Sequence, residues 1–276
     1  MPNVAGFEMY KLKYTLYSLM LLAAIILASC HHKPTMSEMG VTLDTLKVKY
    51  SAQLVPDSVG SPCCSVNLSI ITFTNPDHSS LNDSILRSGI LSPEYLSLTS
   101  AHISPKAAVD SFVKRYTSDY RDYYTGIYTD EADSSVVTIG YTLDTEIMEG
   151  FDSVLVYKAH ITNRQGDIST AYSRYANIDI NHKRILHLED IFVHGYEKAL
   201  SEAIVTQLMK QSANKSIGQL NEAGFFVNTV PYATENFILG DNSITFVYVA
   251  GEIADRDKGE IQVELKYTTV KNLLKR

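Results

Sequence analysis

The sequence predicts an α+β fold, mostly antiparallel sheet with a few packed helices, arranged as two lobes in one compact unit. Three observations carry this. Apolar and polar residues alternate in segment after segment beyond residue 41, the pattern of half-buried strands. Turn sequences such as Asn181-His182-Lys183 and Gly240-Asp241-Asn242 separate neighbouring strand segments, which favours hairpins. Segments with helical spacing interrupt runs of strands rather than alternating strictly with them, which separates α+β from α/β.

The N-terminus reads as an export signal. Lys11 and Lys13 precede an uncharged stretch, Leu16 to Ala28. At a rise of about 1.5 Å per residue it covers roughly 20 Å, short of the roughly 30 Å hydrocarbon core, so it fits a signal peptide better than a permanent span. Leu27-Ala28-Ser29-Cys30 has the pattern of a bacterial lipobox, with small residues before a cysteine whose sulfur takes up lipid. The expected organisation is a signal peptide over 1–29 and a lipidated tether over 30–40. An N-terminal lobe over 41–190 and a C-terminal lobe over 191–276 follow. Met9 is an alternative start. Cleavage removes one acid (Glu8) and two bases (Lys11, Lys13), taking the net charge from −7 to −8. Such a charge without basic clusters disfavours nucleic acid and anionic headgroups as partners. Membrane attachment is therefore expected through lipid on Cys30, and several acyl chains hold far better than one.

Beyond the tether, strands are expected over 42–54 and 65–74, the second ended by Asn75-Pro76-Asp77. A helix is expected over 81–91, with Leu81, Ile85 and Leu86 on one face. Ser104-Pro105 opens the clearest helix, serine as N-cap and proline at the first helical position. Ala108, Phe112, Tyr116, Tyr120 and Tyr124 recur along it every four residues. Strands follow over 135–145, 153–163 and 168–179, then Ile185-Leu186 and the short Leu188–Phe192 segment. A second helix is expected over 196–212, with Leu200, Ile204, Val205 and Leu208 inward. The chain ends in a hairpin over 236–249 around Gly240-Asp241-Asn242, a strand over 260–267 and a helical turn over 270–274. The hairpin turn is expected to need positive φ at one or more of its three residues.

Sites of chemistry are sparse. The chain has no phosphate loop, nucleophile elbow or His-Glu-x-x-His motif. His182, His187 and Asp190 are the nearest approach to a zinc set, and read better as turn and strand residues. Asp130, Glu131 and Asp133 form an acidic loop whose spacing departs from a calcium loop. Asp255, Asp257 and Glu260 interleave with Arg256 and Lys258 as a self-neutralised turn. Adjacent Cys63 and Cys64 are ordinary thiols with one buried, or a strained vicinal disulfide. No catalytic residue, metal or cofactor is assigned. The tyrosines at 116, 120, 123, 124 and 128 are the remaining feature: a helical stripe mostly facing core, with Tyr123 or Tyr124 the exposed member.

From about Val66 onward the landmarks resemble a known family, the extracellular C-terminal domain of the RsiV anti-sigma factor, found also beside the catalytic domain of the deacetylase PdaC. Leu81-Asn82-Asp83-Ser84-Ile85, Asn177-Ile178-Asp179 and Ile185 to Phe192 match its motifs. So do Asn236-Phe237-Ile238-Leu239, Ile244 to Tyr248 and Glu252-Ile253-Ala254. The sequence departs from the pattern at three places. Ala250-Gly251 and Asp255-Arg256 stand where the family has Pro-Tyr, and Arg164-Gln165-Gly166-Asp167 where many members have Gly-Gly-Ala-His. The resemblance implies a shared scaffold, and a secreted lysozyme as candidate partner.

The resulting expectation is a non-catalytic cell-envelope lipoprotein that binds a protein, lysozyme-type among them, or a cell-wall glycan. In a source with two membranes it would sit in the outer one, since His31 rather than Asp follows Cys30. The alternative is an envelope hydrolase acting on peptidoglycan or peptide.

Overall fold

The computed structural model describes residues 34–56, 58, 60–91, 104–128 and 136–275. Cys30 and the acidic residues Asp130, Glu131 and Asp133 lie outside them. Among the described residues no helix is long and apolar enough to cross a membrane. Residues Thr35–Arg276 form one compact unit with two hydrophobic cores.

The first core lies under a six-stranded sheet in sequential order, built from β1 (Leu43–Gln53), β2 (Cys63–Phe73), β3 (Ile139–Glu149), β4 (Val154–Gln165), β5 (Ile168–Asp179) and β6 (Arg184–Leu186). All neighbours are antiparallel except β2 and β3. That parallel pair follows from the long excursion between them, which carries α1 (Ser79–Ile85) and α2 (Pro105–Tyr124). On β2 the period of two is strict from Cys64 to Ile70, every second residue buried. Cys63 and Cys64 therefore face opposite sides, and both are free thiols, Cys64 fully buried.

Helix α2 starts as its sequence dictates. The Ser104 hydroxyl accepts the Ala107 N–H and Pro105 opens the first turn. Ala108, Val109, Phe112 and Tyr120 form its buried face, and the Phe112 and Tyr141 rings meet at 4.9 Å. The expected helix over 81–91 starts earlier, at Ser79, and its last turn widens over Leu86–Ile90, where Gly89 has φ +89°.

The second core lies between a three-stranded antiparallel sheet and several helices. The sheet comprises β7 (Phe237–Leu239), β8 (Ser243–Tyr248) and β9 (Ile261–Lys266). The short α3 (Leu188–Ile191) leads to α4 (Glu197–Gln211), which turns Leu200, Ile204, Val205 and Leu208 inward as its spacing requires. Helix α5 (Ile217–Glu222) was not expected, because Leu220 is its one buried apolar residue; its start is set by the Ser216 cap. The last helix, α6 (Tyr267–Val270), lies earlier than the expected 270–274 turn. The β7–β8 hairpin closes without positive φ at Gly240, Asp241 or Asn242, which corrects the expectation of a left-handed residue there. Instead the Gly240 N–H donates to the Ser243 carbonyl at 2.9 Å.

Two buried asparagines stitch β5 to β7. The Asn177 Nδ2 donates to the Phe237 carbonyl at 2.8 Å and its Oδ1 accepts the Leu239 N–H at 2.9 Å. The Asn236 Oδ1 accepts the Tyr175 N–H at 2.8 Å, while its Nδ2 donates to the carbonyls of Ser173 and Val247. The two strands share no ladder, so side-chain amides take up backbone groups that burial would otherwise leave unpaired. Gly150 permits the same approach, because a Cβ there would stand 3.0 Å from the Leu239 carbonyl. Val154, Leu186 and Leu188 belong to the second core, so packing crosses from one sheet's chain segment to the other before residue 190.

Candidate functional site

Two of the motif carboxylates act as structural acceptors. Asp190 accepts the His187 N–H at 2.9 Å, closing a capping box at α3, and pairs with Arg184. Burial opposes ionisation there, but these partners hold the carboxyl below its usual value. Glu252 accepts the Val249 N–H at 2.8 Å and the Tyr232 hydroxyl at 2.6 Å. Burial, reinforced by Glu252, pushes the Tyr232 phenol up. The two histidines near Asp190 face separate partners. His182 meets Asp179 at 2.7 Å and His187 meets Glu235 at 3.6 Å. Among the described residues no group of three His, Cys, Asp or Glu is placed to hold a metal.

The tyrosine stripe leads to a cleft of 560 Å³, within the range of small-molecule sites. Tyr116, Asp119, Tyr120, Tyr123 and Tyr124 of α2 form one wall. Facing them are Ile139 and the end of the β4–β5 hairpin, with Asn163, Arg164, Gln165, Ile168 and Thr170. Arg256 enters from the loop between β8 and β9.

Each wall has a local cause. The four-residue spacing stacks the rings along the helix, with centroids 5.3 Å apart for Tyr120–Tyr124, while Tyr123 stands edge-on to Tyr124 at 4.9 Å. Tyr120 is the floor. It is 2% exposed, and its buried hydroxyl has no hydrogen-bond partner among the described residues. Burial, then Cys64 and Cys63 nearby, pushes that phenol up. Burial likewise pushes the Cys64 thiol up to about 12, so it is an inert core group. Tyr123 is 67% exposed and Ile168 on the opposite rim 72%, so apolar surface faces water across the opening. The hairpin is pinned to the helix, since the Gln165 amide donates to the Tyr124 hydroxyl at 3.1 Å and to the Val136 carbonyl at 3.3 Å. Gly166 makes its turn at φ +57°.

Arg256 reaches the cleft because residue 251 is glycine. A Cβ at Gly251 would stand 2.8 Å from the Arg256 Cγ, and the backbone there has φ +87°. The expected self-neutralised turn is thereby corrected. Arg256 packs across Gly251 toward the cleft, Lys258 lies over the Phe225 ring at 5.5 Å, and Glu260 accepts from Gln262. Neither basic side chain pairs with Asp255, Asp257 or Glu260 among the described residues.

Sequence reasoning singled out the tyrosines but not Asn163, Arg164, Gln165 or Arg256 as site residues. The signal was present as the departures from the pattern of the family that the sequence resembles. Arg164-Gln165, Gly251 and Arg256 are far apart in sequence and converge here. The motif-matching Asn177, Asp190, Asn236 and Glu252 are all engaged in structural hydrogen bonds.

A larger groove of 710 Å³ runs between α4 and the segment Val230-Pro231-Tyr232, with Ile217 beside it. Its walls are mainly apolar and Val230 is 84% exposed. It offers fewer directional groups than the cleft, having no guanidinium and no side-chain amide among its lining residues.

Comparison with known proteins agrees with the fold and gives no activity. Residues 189–268 match a protein-family model described as a protein of unknown function, DUF3298. A solved member of that family from Bacteroides fragilis is 19% identical, with a TM-score of 0.73 over 86% of this chain and 94% of that one. A DUF3298 family protein from Pseudomonas aeruginosa is 17% identical, with a TM-score of 0.54 over 86% of this chain and 96% of that one. No curated protein matches. At these identities the likeness establishes the α+β fold, well beyond the 189–268 segment.

Proposed function

We propose that this chain is a non-catalytic lipoprotein of the cell envelope, anchored by lipid on Cys30, whose tyrosine cleft binds a cell-wall glycan. One observation carries the reading: exposed aromatic surface at Tyr123 faces amide and guanidinium donors across a cleft of 560 Å³. Aromatic faces cover the apolar face of a sugar ring, while amides and guanidinium groups bond its hydroxyls and charged substituents. A hydrolase of glycosidic bonds generally needs two carboxylates flanking the bond. Asp119 is the one carboxylate among the described lining residues, and no histidine is among them, which supports binding over turnover. The resemblance to RsiV makes lysozyme the rival ligand, but this chain departs from that family's pattern at the cleft.

The test uses the full chain in detergent, titrated with chitotriose, muropeptides and lysozyme, and assayed for release of products from peptidoglycan. Glycan binding that falls about ten-fold or more in Tyr123→Ala, without turnover, is expected. Turnover abolished by Asp119→Asn would overturn the reading, as would lysozyme binding indifferent to Tyr123. Cys30→Ser should lose partitioning into the detergent phase; retained partitioning would remove lipid on Cys30 as the anchor.

A further inference from the structure

We infer that the glycan carries an acidic group, a carboxylate, phosphate or sulfate, held between Arg164 and Arg256. This rests on the glycan-binding reading and narrows its ligand class.

The first ground is the state of the two guanidinium groups. Of the other described arginines, Arg87 pairs with Asp83, Arg184 with Asp190, Arg121 donates to the Gln53 carbonyl and Arg174 lies over the Tyr172 ring at 5.9 Å, while Arg115 stands exposed on α2. Arg164 and Arg256 make no ion pair or hydrogen bond among the described residues, although both line one cleft. Asp119, the carboxylate on the same lining, pairs with neither. In a chain of net charge −7, carboxylates are plentiful, so two cations facing one cavity against a single carboxylate, Asp119, leave a locally positive lining.

The second ground is how Arg256 gets there. Positive φ at Gly251 and the 2.8 Å approach of the Arg256 side chain mean that a side chain at 251 would displace the guanidinium. Glycine at 251 and arginine at 256 form a matched pair, and the hairpin supplies Arg164 independently. Two planar forks from different elements suit an anion with several oxygens, since guanidinium groups bond carboxylates and phosphates through paired N–H donors. The tyrosine face beside them suits the ring that carries the anion. A neutral sugar would leave both charges unused.

The experiment titrates the full chain in detergent with four probes. One is the disaccharide of N-acetylglucosamine and N-acetylmuramic acid, with a lactyl carboxylate. The others are trigalacturonate, with ring carboxylates; a sulfated trisaccharide; and neutral chitotriose. At least one acidic probe should bind about ten-fold or more tighter than chitotriose, and added salt should weaken only the acidic arm. Arg164→Gln and Arg256→Gln should each cut that affinity about five- to ten-fold and lower chitotriose binding by a much smaller factor, while Arg256→Lys restores part of the acidic-probe affinity. The preferred probe identifies the acidic group. Equal binding of acidic and neutral sugars, or no effect of either glutamine variant, overturns the inference and leaves glycan binding standing. No binding of any sugar overturns both. Both arginines are exposed, so unfolding of the variants is not expected, and melting curves check it.

Discussion

At the junction between the two sheets the buried polar side chains are committed, whereas the tyrosine cleft leaves two exposed cations and one buried hydroxyl without protein partners among the described residues. Asn177 and Asn236 each satisfy two or more backbone groups there, and nearby Glu252 and Asp190 accept from backbone and side chain together. Across the cleft, two arginines stand without partners among the described residues, Tyr120 keeps an unpaired hydroxyl, and Tyr123 is mostly in water. The junction coincides with the motifs that resemble a known family and the cleft with the departures from them. A satisfied buried polar network specifies a fold, whereas exposed, hydrated cations beside an aromatic face can exchange water for a ligand.

The largest expected effect tests the junction. Asn236→Ala strips partners from the Tyr175 N–H and from the Ser173 and Val247 carbonyls, buried groups that each cost about 1–3 kcal/mol when unpaired. A loss of about 3–5 kcal/mol in denaturant unfolding is expected, with glycan affinity unchanged in the protein that remains folded. A loss below about 1 kcal/mol would mean water replaces the amide and the junction is not specified by it.

Asp190→Ala should cost about 1–2 kcal/mol, the range for an N-terminal cap. Its sign with pH is fixed. The folded carboxyl lies below its unfolded value of about 3.9, so its contribution is fully present above that value and is lost as pH falls through the folded value. Wild type and variant should therefore converge in stability below about pH 4. A constant gap across that range would assign the effect to packing instead of charge.

Gly251→Ala sits between the two regions. Strain at φ +87° should destabilise by about 1–2 kcal/mol, and displacement of Arg256 should lower acidic-glycan affinity as Arg256→Gln does. A stability loss with no affinity loss would separate Arg256 from the site. At the small end, Tyr123→Ala and Arg164→Gln should move stability by no more than about 0.5 kcal/mol, because both are exposed.

Much of the fold was legible because local signals agreed. The Ser104-Pro105 start, the alternation on β2 and the inward face of α4 each follow from a spacing that packing then rewarded. What was not legible had weak or non-local causes. Helix α5 buries one leucine, the parallel β2–β3 pair depends on a crossover of more than sixty residues (Phe73 to Ile139), and the Gly240 turn closes without the conformation that glycine permits. The candidate site was half legible. Four-residue spacing brought out the tyrosines, but Arg164 and Arg256 are ordinary surface residues until the fold brings β4 and the β8–β9 loop to the same helix.

Side-chain nuclear magnetic resonance on the full chain tests the division between scaffold and cleft most directly. Arginine Nε–Hε and tyrosine ring signals would be followed as the N-acetylglucosamine–N-acetylmuramic acid disaccharide is added, with trigalacturonate and the sulfated trisaccharide in parallel. The expected result is saturable shifts at Arg164, Arg256 and Tyr123 with the acidic sugar that binds, while Arg184 and Tyr248 stay still. Shifts centred on Tyr232 and the α4 groove, with Arg164 and Arg256 unmoved, would contradict it.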